Sequence, residues 1–313
     1  MVFPEESPSP PSAPPSISWR QVVWISLAAA ALIAAIHLLP GPPLLSPMDF
    51  VPGGPDAVEF CDPLNPRVIA VAAKRTSVTL GLAVPAPLNA GSAEPARVRL
   101  ALRTASGKAI GPDDLVSSPG GRIRLFILSA DLSDLQTAIP APGRRRGDWA
   151  FDFVPRMAGS YRVFADMTPA ATGRELYASA DLPVSGAPLR RADNLSSRAE
   201  SGGIEFDLQP SAGPLYAHRA ARLRLAIARP DGNPVPLVPF QGAYAHLVLF
   251  DEARVGFLRV SAPAGRNGGA PDAVRPTFES TVTFPDSGRY VAWVIVDIAG
   301  HETEVPLALE VTP

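Results

Sequence analysis

The side chains able to ligate a metal or move a proton near neutrality are few: four histidines and one cysteine in 313 residues. A metal centre needs about three or four convergent ligands, and these five, His37, Cys61, His218, His246 and His301, are scattered along the chain. His246 stands alone in the apolar run 244–250 and reads as an imidazole hydrogen-bonded at a sheet margin. His301 follows Ala299-Gly300 on an expected hairpin turn with Glu302 and Glu304 close by, and His218 falls in a loop; both read as solvated. His37 sits near one end of an apolar stretch, from which an imidazole reaches an interface. Cys61 excludes an intrachain disulfide and the multi-cysteine zinc patterns, which leaves a half-buried thiol or an intermolecular disulfide.

Nucleophile and phosphate motifs are missing as well. There is no G-x-S-x-G elbow, no H-E-x-x-H and no glycine-rich loop followed by Lys. Arg144-Arg145-Arg146 is the densest positive cluster, and between Gly143 and Gly147 it reads as a solvated hairpin tip or as a contact for anionic headgroups or an acidic partner. Catalytic, cofactor and metal residues are therefore assigned as none, no cofactor is implied, and the chain is expected not to be an enzyme. A net charge of -2, from 28 basic and 30 acidic side chains, gives no field to recruit nucleic acid by counterion release.

What must hold such side chains is a β scaffold behind an apolar segment. Thirty-seven prolines fall in the tail, the linkers and between apolar runs, which disfavours long helices and suits turns and edge strands. The exception is 22–39, VVWISLAAAALIAAIHLL, about the length that crosses a bilayer core of ~30 Å. Arg20 precedes it, Trp19 and Trp24 lie at that end, and Pro40-Gly41-Pro42-Pro43 closes the other. A cleaved signal peptide fits less well, because the preceding tail is long and polar and no small-x-small site follows. The expected order is a disordered cytoplasmic tail (1–20), a transmembrane helix (21–40) and a Pro/Gly-rich stalk (41–66). Arg20 is the tail's only basic residue and gives the orientation: an inner-membrane protein with its amino terminus cytoplasmic and its bulk periplasmic or extracellular. The lipid bilayer is the partner of residues 22–39.

Beyond the stalk a pattern occurs twice. RIRLFILSADLSDL at 122–135 precedes VPRMAGSYRVFADMTP at 154–169, and YAHLVLFDEARVGF at 244–257 precedes FPDSGRYVAWVIVDIAG at 284–300. Placing Arg124 on His246 puts Leu135 on Phe257 without a gap, and one insertion then brings Gly159-Ser160-Tyr161 onto Gly288-Arg289-Tyr290. A period above a hundred residues matches one β-sandwich of roughly 100 residues. About seven short apolar or alternating runs precede 185, starting with 68–71, and another seven follow 203. The fold class is all-β: two tandem immunoglobulin-like β-sandwiches (67–186 and 204–313), joined by a linker (187–203), after a single N-terminal transmembrane helix.

Asp286-Ser287-Gly288-Arg289-Tyr290 and Met157-Ala158-Gly159-Ser160-Tyr161 resemble the tyrosine corner of immunoglobulin-like domains, and Trp149 and Trp293 are candidate core aromatics. The pair Gly242–Val248 and Leu128–Leu135, with Tyr161-Arg162-Val163-Phe164-Ala165-Asp166, also resembles bacterial exported proteins with YtkA-like domains, whose pattern is G-x-x-HLVxxSxDLxxFxHxHP. That resemblance, over most of 75–312, implies a copper-type metal site built from histidines. Here Arg124 replaces the first His, Gln136-Thr137-Ala138-Ile139 replaces the later cluster, and only His246 survives in the second copy. The expectation is an extracytoplasmic binding or scaffolding protein with a protein partner in the periplasm; the alternative is a metal-handling protein with a degenerate site.

Overall fold

The computed structural model describes residues 18–38, 44–51, 66–72, 76–187, 195–262 and 270–313. The expected disordered tail up to residue 17, Cys61 and the side chain of His37 lie outside the described residues. Two compact units divide at Leu44.

The first unit carries one helix, α1 (Trp19–Leu38). Its start is fixed locally: the Ser18 amide donates to Gln21 Oε1 at 3.0 Å, the back half of a capping box. Among the described residues no helix is long and apolar enough to cross a membrane, so the expectation of a span over 21–40 is not supported.

Among the described residues the second unit is β throughout its regular structure apart from two 3-10 turns. Nine strands make the first sandwich: β1 (Val78–Ala83), β2 (Leu88–Asn89), β3 (Ala96–Thr104), β4 (Ile123–Leu128), β5 (Leu135–Ala138), β6 (Ala141–Pro142), β7 (Asp148–Phe153), β8 (Gly159–Met167) and β9 (Leu176–Ser185). They form sheets of order β1-β3-β7-β6 and β2-β9-β8-β4-β5. Ten more follow: β10 (Arg198–Ser201), β11 (Ile204–Pro210), β12 (Leu215–Tyr216), β13 (Ala220–Ala228), β14 (Leu237–Val238), β15 (Ala245–Asp251), β16 (Phe257–Ala262), β17 (Thr277–Thr283), β18 (Gly288–Ile298) and β19 (His301–Thr312). Their sheets run β10-β11-β13-β17 and β12-β19-β18-β15-β16, with β14 beside the end of β18. The shared pattern is that of an immunoglobulin-like sandwich, in which the first, second and fifth main strands share one sheet and the third, sixth and seventh the other.

Register confirms the duplication residue by residue. Leu128 pairs with Leu135 as Phe250 pairs with Phe257, and Gly159 pairs with Val184 as Gly288 pairs with Val311. Alternation builds each core: β3 turns Val98, Leu100 and Leu102 inward and Arg97, Arg99 and Arg103 outward, the period of two expected of a half-buried strand. Both corners are formed. Tyr290 Oη donates to the Asp286 carbonyl at 3.0 Å, and Tyr161 Oη accepts from the Met157 amide at 2.9 Å while donating to Asp134 Oδ2 at 2.7 Å. Trp149 lies in the first core. Trp293 does not lie in the second; it belongs to a third cluster between the sandwiches.

Three segments depart from expectation. Residues 68–71 do not open the first sandwich: the Val68 amide donates to the Thr283 carbonyl, the Thr283 amide donates to the Pro66 carbonyl, and Ile69 and Phe257 exchange backbone hydrogen bonds, so 66–69 lies along the second sandwich, and Val68 is buried in that core. The expected stalk is docked where it is described, since Pro47–Phe50 forms a 3-10 turn whose Phe50 is buried in the first core and whose Asp49 meets Lys108 at 2.6 Å. The expected linker 187–203 contains β10, paired with β11.

Candidate functional site at the junction of the two sandwiches

Strands β4 and β15 are buried along both faces. Their odd-numbered side chains Ile123, Leu125 and Ile127, and Ala245, Leu247 and Leu249, enter the two cores. The even-numbered Phe126, Leu128, Val248 and Phe250 meet across the junction with Phe164, Tyr177, Phe257, Val291 and Trp293. The sandwiches therefore pack through the sheets that carry their third, sixth and seventh strands. Phe257 is the hub, 5.1 Å from Phe164, 4.7 Å from Tyr177, 5.4 Å from Phe126 and 5.6 Å from Phe250 between ring centroids. Aromatic pairs at these separations add to the area they bury.

Polar side chains rim this apolar contact at one end. Arg124 Nη2 donates to Glu302 Oε1 at 2.6 Å and the guanidinium lies 5.6 Å from Phe126 and 5.2 Å from Phe240. Arg259 Nε donates to Asp166 Oδ2 at 2.6 Å, with Glu175 at 3.7 Å. Burial pushes the Asp166 carboxyl above its ordinary range and Arg259 opposes that shift. Glu304 is pushed up to about 7, first by burial and then by the charge of Glu302. Arg122, Arg124, Asp166, Glu175 and Arg259 line a cleft of about 180 Å³ closed by Gly120 and Gln241, where a Cβ on Gly120 would stand 2.9 Å from Gln241 Oε1.

His246 occupies the position equivalent to Arg124 and is enclosed by this rim. Its Nε2 faces the Phe240 carbonyl at 2.9 Å and its Nδ1 faces Ser261 Oγ at 3.1 Å. A carbonyl only accepts, so Nε2 carries the hydrogen and the Nδ1 lone pair takes the serine hydroxyl. Burial lowers the imidazole to about 4, and Arg259 and Arg124 add to that shift. A ring that is neutral, saturated in hydrogen bonds and flanked by two guanidiniums has no lone pair to offer a cation. Among the described residues no three His, Cys, Asp or Glu side chains come together as a metal set.

The other residues singled out in the sequence are placed apart. His301 is exposed at the start of β19 and His218 lies in a turn with φ of 62°. Arg144 and Arg145 are exposed as expected, whereas Arg146 is not a solvated tip: its Nη2 reaches both oxygens of the buried Asp114 at 2.5 Å. Asp114 also accepts from the Gly111 and Leu45 amides, so a buried carboxylate needs that arginine. Reasoning from sequence missed the whole junction. The signal was available in 123–128 and 245–250, which are continuous apolar runs of the kind that a strand buried on both faces shows.

Fold and junction define the class: a tandem of immunoglobulin-like sandwiches joined sheet face to sheet face. A family model described as "Domain of unknown function (DUF8832)" matches residues 199–313, the second sandwich with β10. No curated protein matches the chain. Among solved structures, the FdeC adhesin of Escherichia coli is similar at 17% identity and a TM-score of 0.24, covering 75% of this chain and 64% of its own. A transglutaminase of red sea bream shares 10% identity at a TM-score of 0.24, over 77% of this chain and 32% of its own. Fibronectin(III)-like modules of Clostridium thermocellum CbhA share 10% identity at 0.18, over 74% of this chain and 95% of theirs. The chain thus spans under two thirds of the first two.

Proposed function

We propose that the protein is an extracytoplasmic binding or scaffolding module without enzymatic activity, in which two immunoglobulin-like sandwiches act as one rigid body. The observation that carries this reading is the buried aromatic junction around Phe257. It occupies one sheet of each sandwich and leaves the opposite sheets, their edges and the loops to meet a partner. The saturated hydrogen bonding of His246 weighs against the metal-handling alternative.

The same reading takes α1 as an apolar element that keeps the protein at the inner membrane. Trp19, Val22, Trp24, Ile25, Leu27, Leu32 and Ile33 are all exposed, and a helix apolar on every side needs covering. Affinity isolation of the full chain from gently solubilised membranes, with metals measured in the same sample, tests the proposal. A stoichiometric protein partner without metal supports it. Stoichiometric copper without a partner overturns it, and recovery of the chain in the soluble fraction of gently lysed cells removes the membrane part.

A further inference from the structure

The two central strands of the outward sheets repeat a motif. Ala96-Arg97-Val98-Arg99-Leu100-Ala101-Leu102 on β3 matches Ala221-Arg222-Leu223-Arg224-Leu225-Ala226-Ile227 on β13. Val98, Leu100 and Leu102, and Leu223, Leu225 and Ile227, enter the cores, and the arginines stand on the outer faces with Ala101 and Ala226. Because strand register is known on both sides, each arginine's neighbours in one copy can be compared with those in the other.

The copies have diverged around the second arginine. Arg224 is flanked by Gln209 on β11 and Glu279 on β17; Arg99 is flanked by Ala83 on β1 and Ala150 on β7. One rung along, Ala226 lies between Asp207 and Thr277 where Ala101 lies between Gly81 and Asp148. The next rung has Ala228 against Glu205, and Arg103 against Thr79. The second sandwich thus carries its own counter-charges, with Arg222 3.7 Å from Glu279 and Arg198 3.1 Å from Asp207. In the first, Arg97 meets Asp152 at 3.0 Å, Asp148 is half-buried at the rim, and Arg99 and Arg144 make no ion pair among the described residues.

Small residues in place of acids also open the face. Gly81, Ala83, Ala101 and Ala150 floor a trough of about 690 Å³ rimmed by Arg99 and Arg144, along the edge strand β1. We propose that this trough docks an extended acidic segment of a partner protein. Outward side chains on β3 recur about every 6.8 Å, and so do those on one side of an extended peptide, so acids at alternate positions of the segment meet Arg99 in the trough and Arg103 two outward positions along, with Arg144 at the rim. A concave trough with an apolar floor suits a peptide better than a flat lipid surface.

This inference rests on the binding-module reading and is tested by fluorescence anisotropy of the full chain with a labelled peptide of alternating Glu and Thr, in low salt. The alternating Gln–Thr peptide and vesicles of phosphatidylglycerol with phosphatidylcholine serve as the other arms. Arg99→Glu and Ala150→Glu, the second giving the first sandwich the acid of its copy, each weaken peptide binding about tenfold or more, whereas Arg224→Glu changes it less than about twofold. Circular dichroism and melting verify that both exposed-face variants fold. Equal binding of the Gln–Thr peptide, no binding of the acidic one, indifference to Arg99→Glu, or capture by vesicles alone overturns the proposal. A partner isolated from membranes that Arg99→Glu still holds overturns the surface and leaves the module standing.

Discussion

Arg124 and Glu302 stand 178 residues apart in sequence and 2.6 Å apart in space, tying β4 of the first sandwich to β19 of the second. Arg124 is nearly buried while Glu302 is one-third exposed, so removing the acid leaves a guanidinium with little water to replace it. Glu302→Ala is expected to cost about 1–3 kcal/mol, below the range for a fully buried pair because Glu302 keeps some solvent. Urea unfolding of the single variants and of Arg124→Met with Glu302→Leu gives the coupling. The double variant is expected to be more stable than additivity allows.

Phe257 touches four other rings at the junction and also pairs with Ile69 through the backbone. Phe257→Ala is expected to cost about 3–5 kcal/mol, the range for deleting a large buried aromatic. Since the lost contacts join the sandwiches, calorimetry of this variant should show two transitions where the parent shows one.

Gly256 leaves room for residues 66–72. A Cβ there would stand 2.6 Å from Val68 Cγ1, too close for both to remain in place. Gly256→Ala should destabilise by about 1–3 kcal/mol, as overpacking does, and hydrogen exchange should speed up at the Val68 and Ile69 amides, which now donate to Thr283 and Phe257 carbonyls. Adding Val68→Ala removes the clashing methyl and should restore protection at those amides.

The duplicated hairpin, the tyrosine corners and most of the longer strands were legible because each is local: alternation fixes the strand, and a Gly-x-Tyr after a turn fixes the corner. The junction and 66–72 were not. Four apolar residues at 68–71 read as a strand of whichever sandwich is nearer in sequence, and only space assigns them to the second. Arg198–Ser201 shows no apolar alternation, since β10 is an edge strand with intermediate and exposed side chains. The repeated Ala-Arg-x-Arg-x-Ala motif was present in the sequence, but the meaning of Arg99 depends on Ala83 and Ala150, which only the register sets beside it.

The two corner tyrosines should differ in weight. Tyr290 makes one bond, to the Asp286 carbonyl, and its hydroxyl is pushed up to about 12, chiefly by burial. Tyr161 makes two, one of them to the carboxylate of Asp134, which also meets Arg156 at 2.9 Å. Tyr290→Phe is expected to cost about 1 kcal/mol, and Tyr161→Phe about 2 kcal/mol because a bond to a charged group is lost. Thermal melts of both variants check the ranking, and equal losses would show that Asp134 adds nothing.

Acid should act on the junction in two opposite ways. His246 titrates near 4 when folded against an ordinary 6.5. Between those values the unfolded chain binds a proton that the native one does not, so His246 removes stability as pH falls through that window. Glu304 titrates near 7 against an ordinary 4.5. The native chain holds a proton that the unfolded one has released, so its contribution is complete below 4.5 and is lost as pH rises to 7. From 4.5 to 6.5 the two slopes oppose each other, each at most about 1.4 kcal/mol per pH unit, and this pair should leave urea stability nearly flat there. Glu304→Gln exposes the histidine slope, so that variant should weaken on acidification from pH 6.5 to 4.5. His246→Gln exposes the carboxyl slope and should strengthen over the same interval. Urea titrations of the two variants at pH 6.5, 5.5 and 4.5 read both signs, and parallel curves would mean that neither group titrates as its burial dictates.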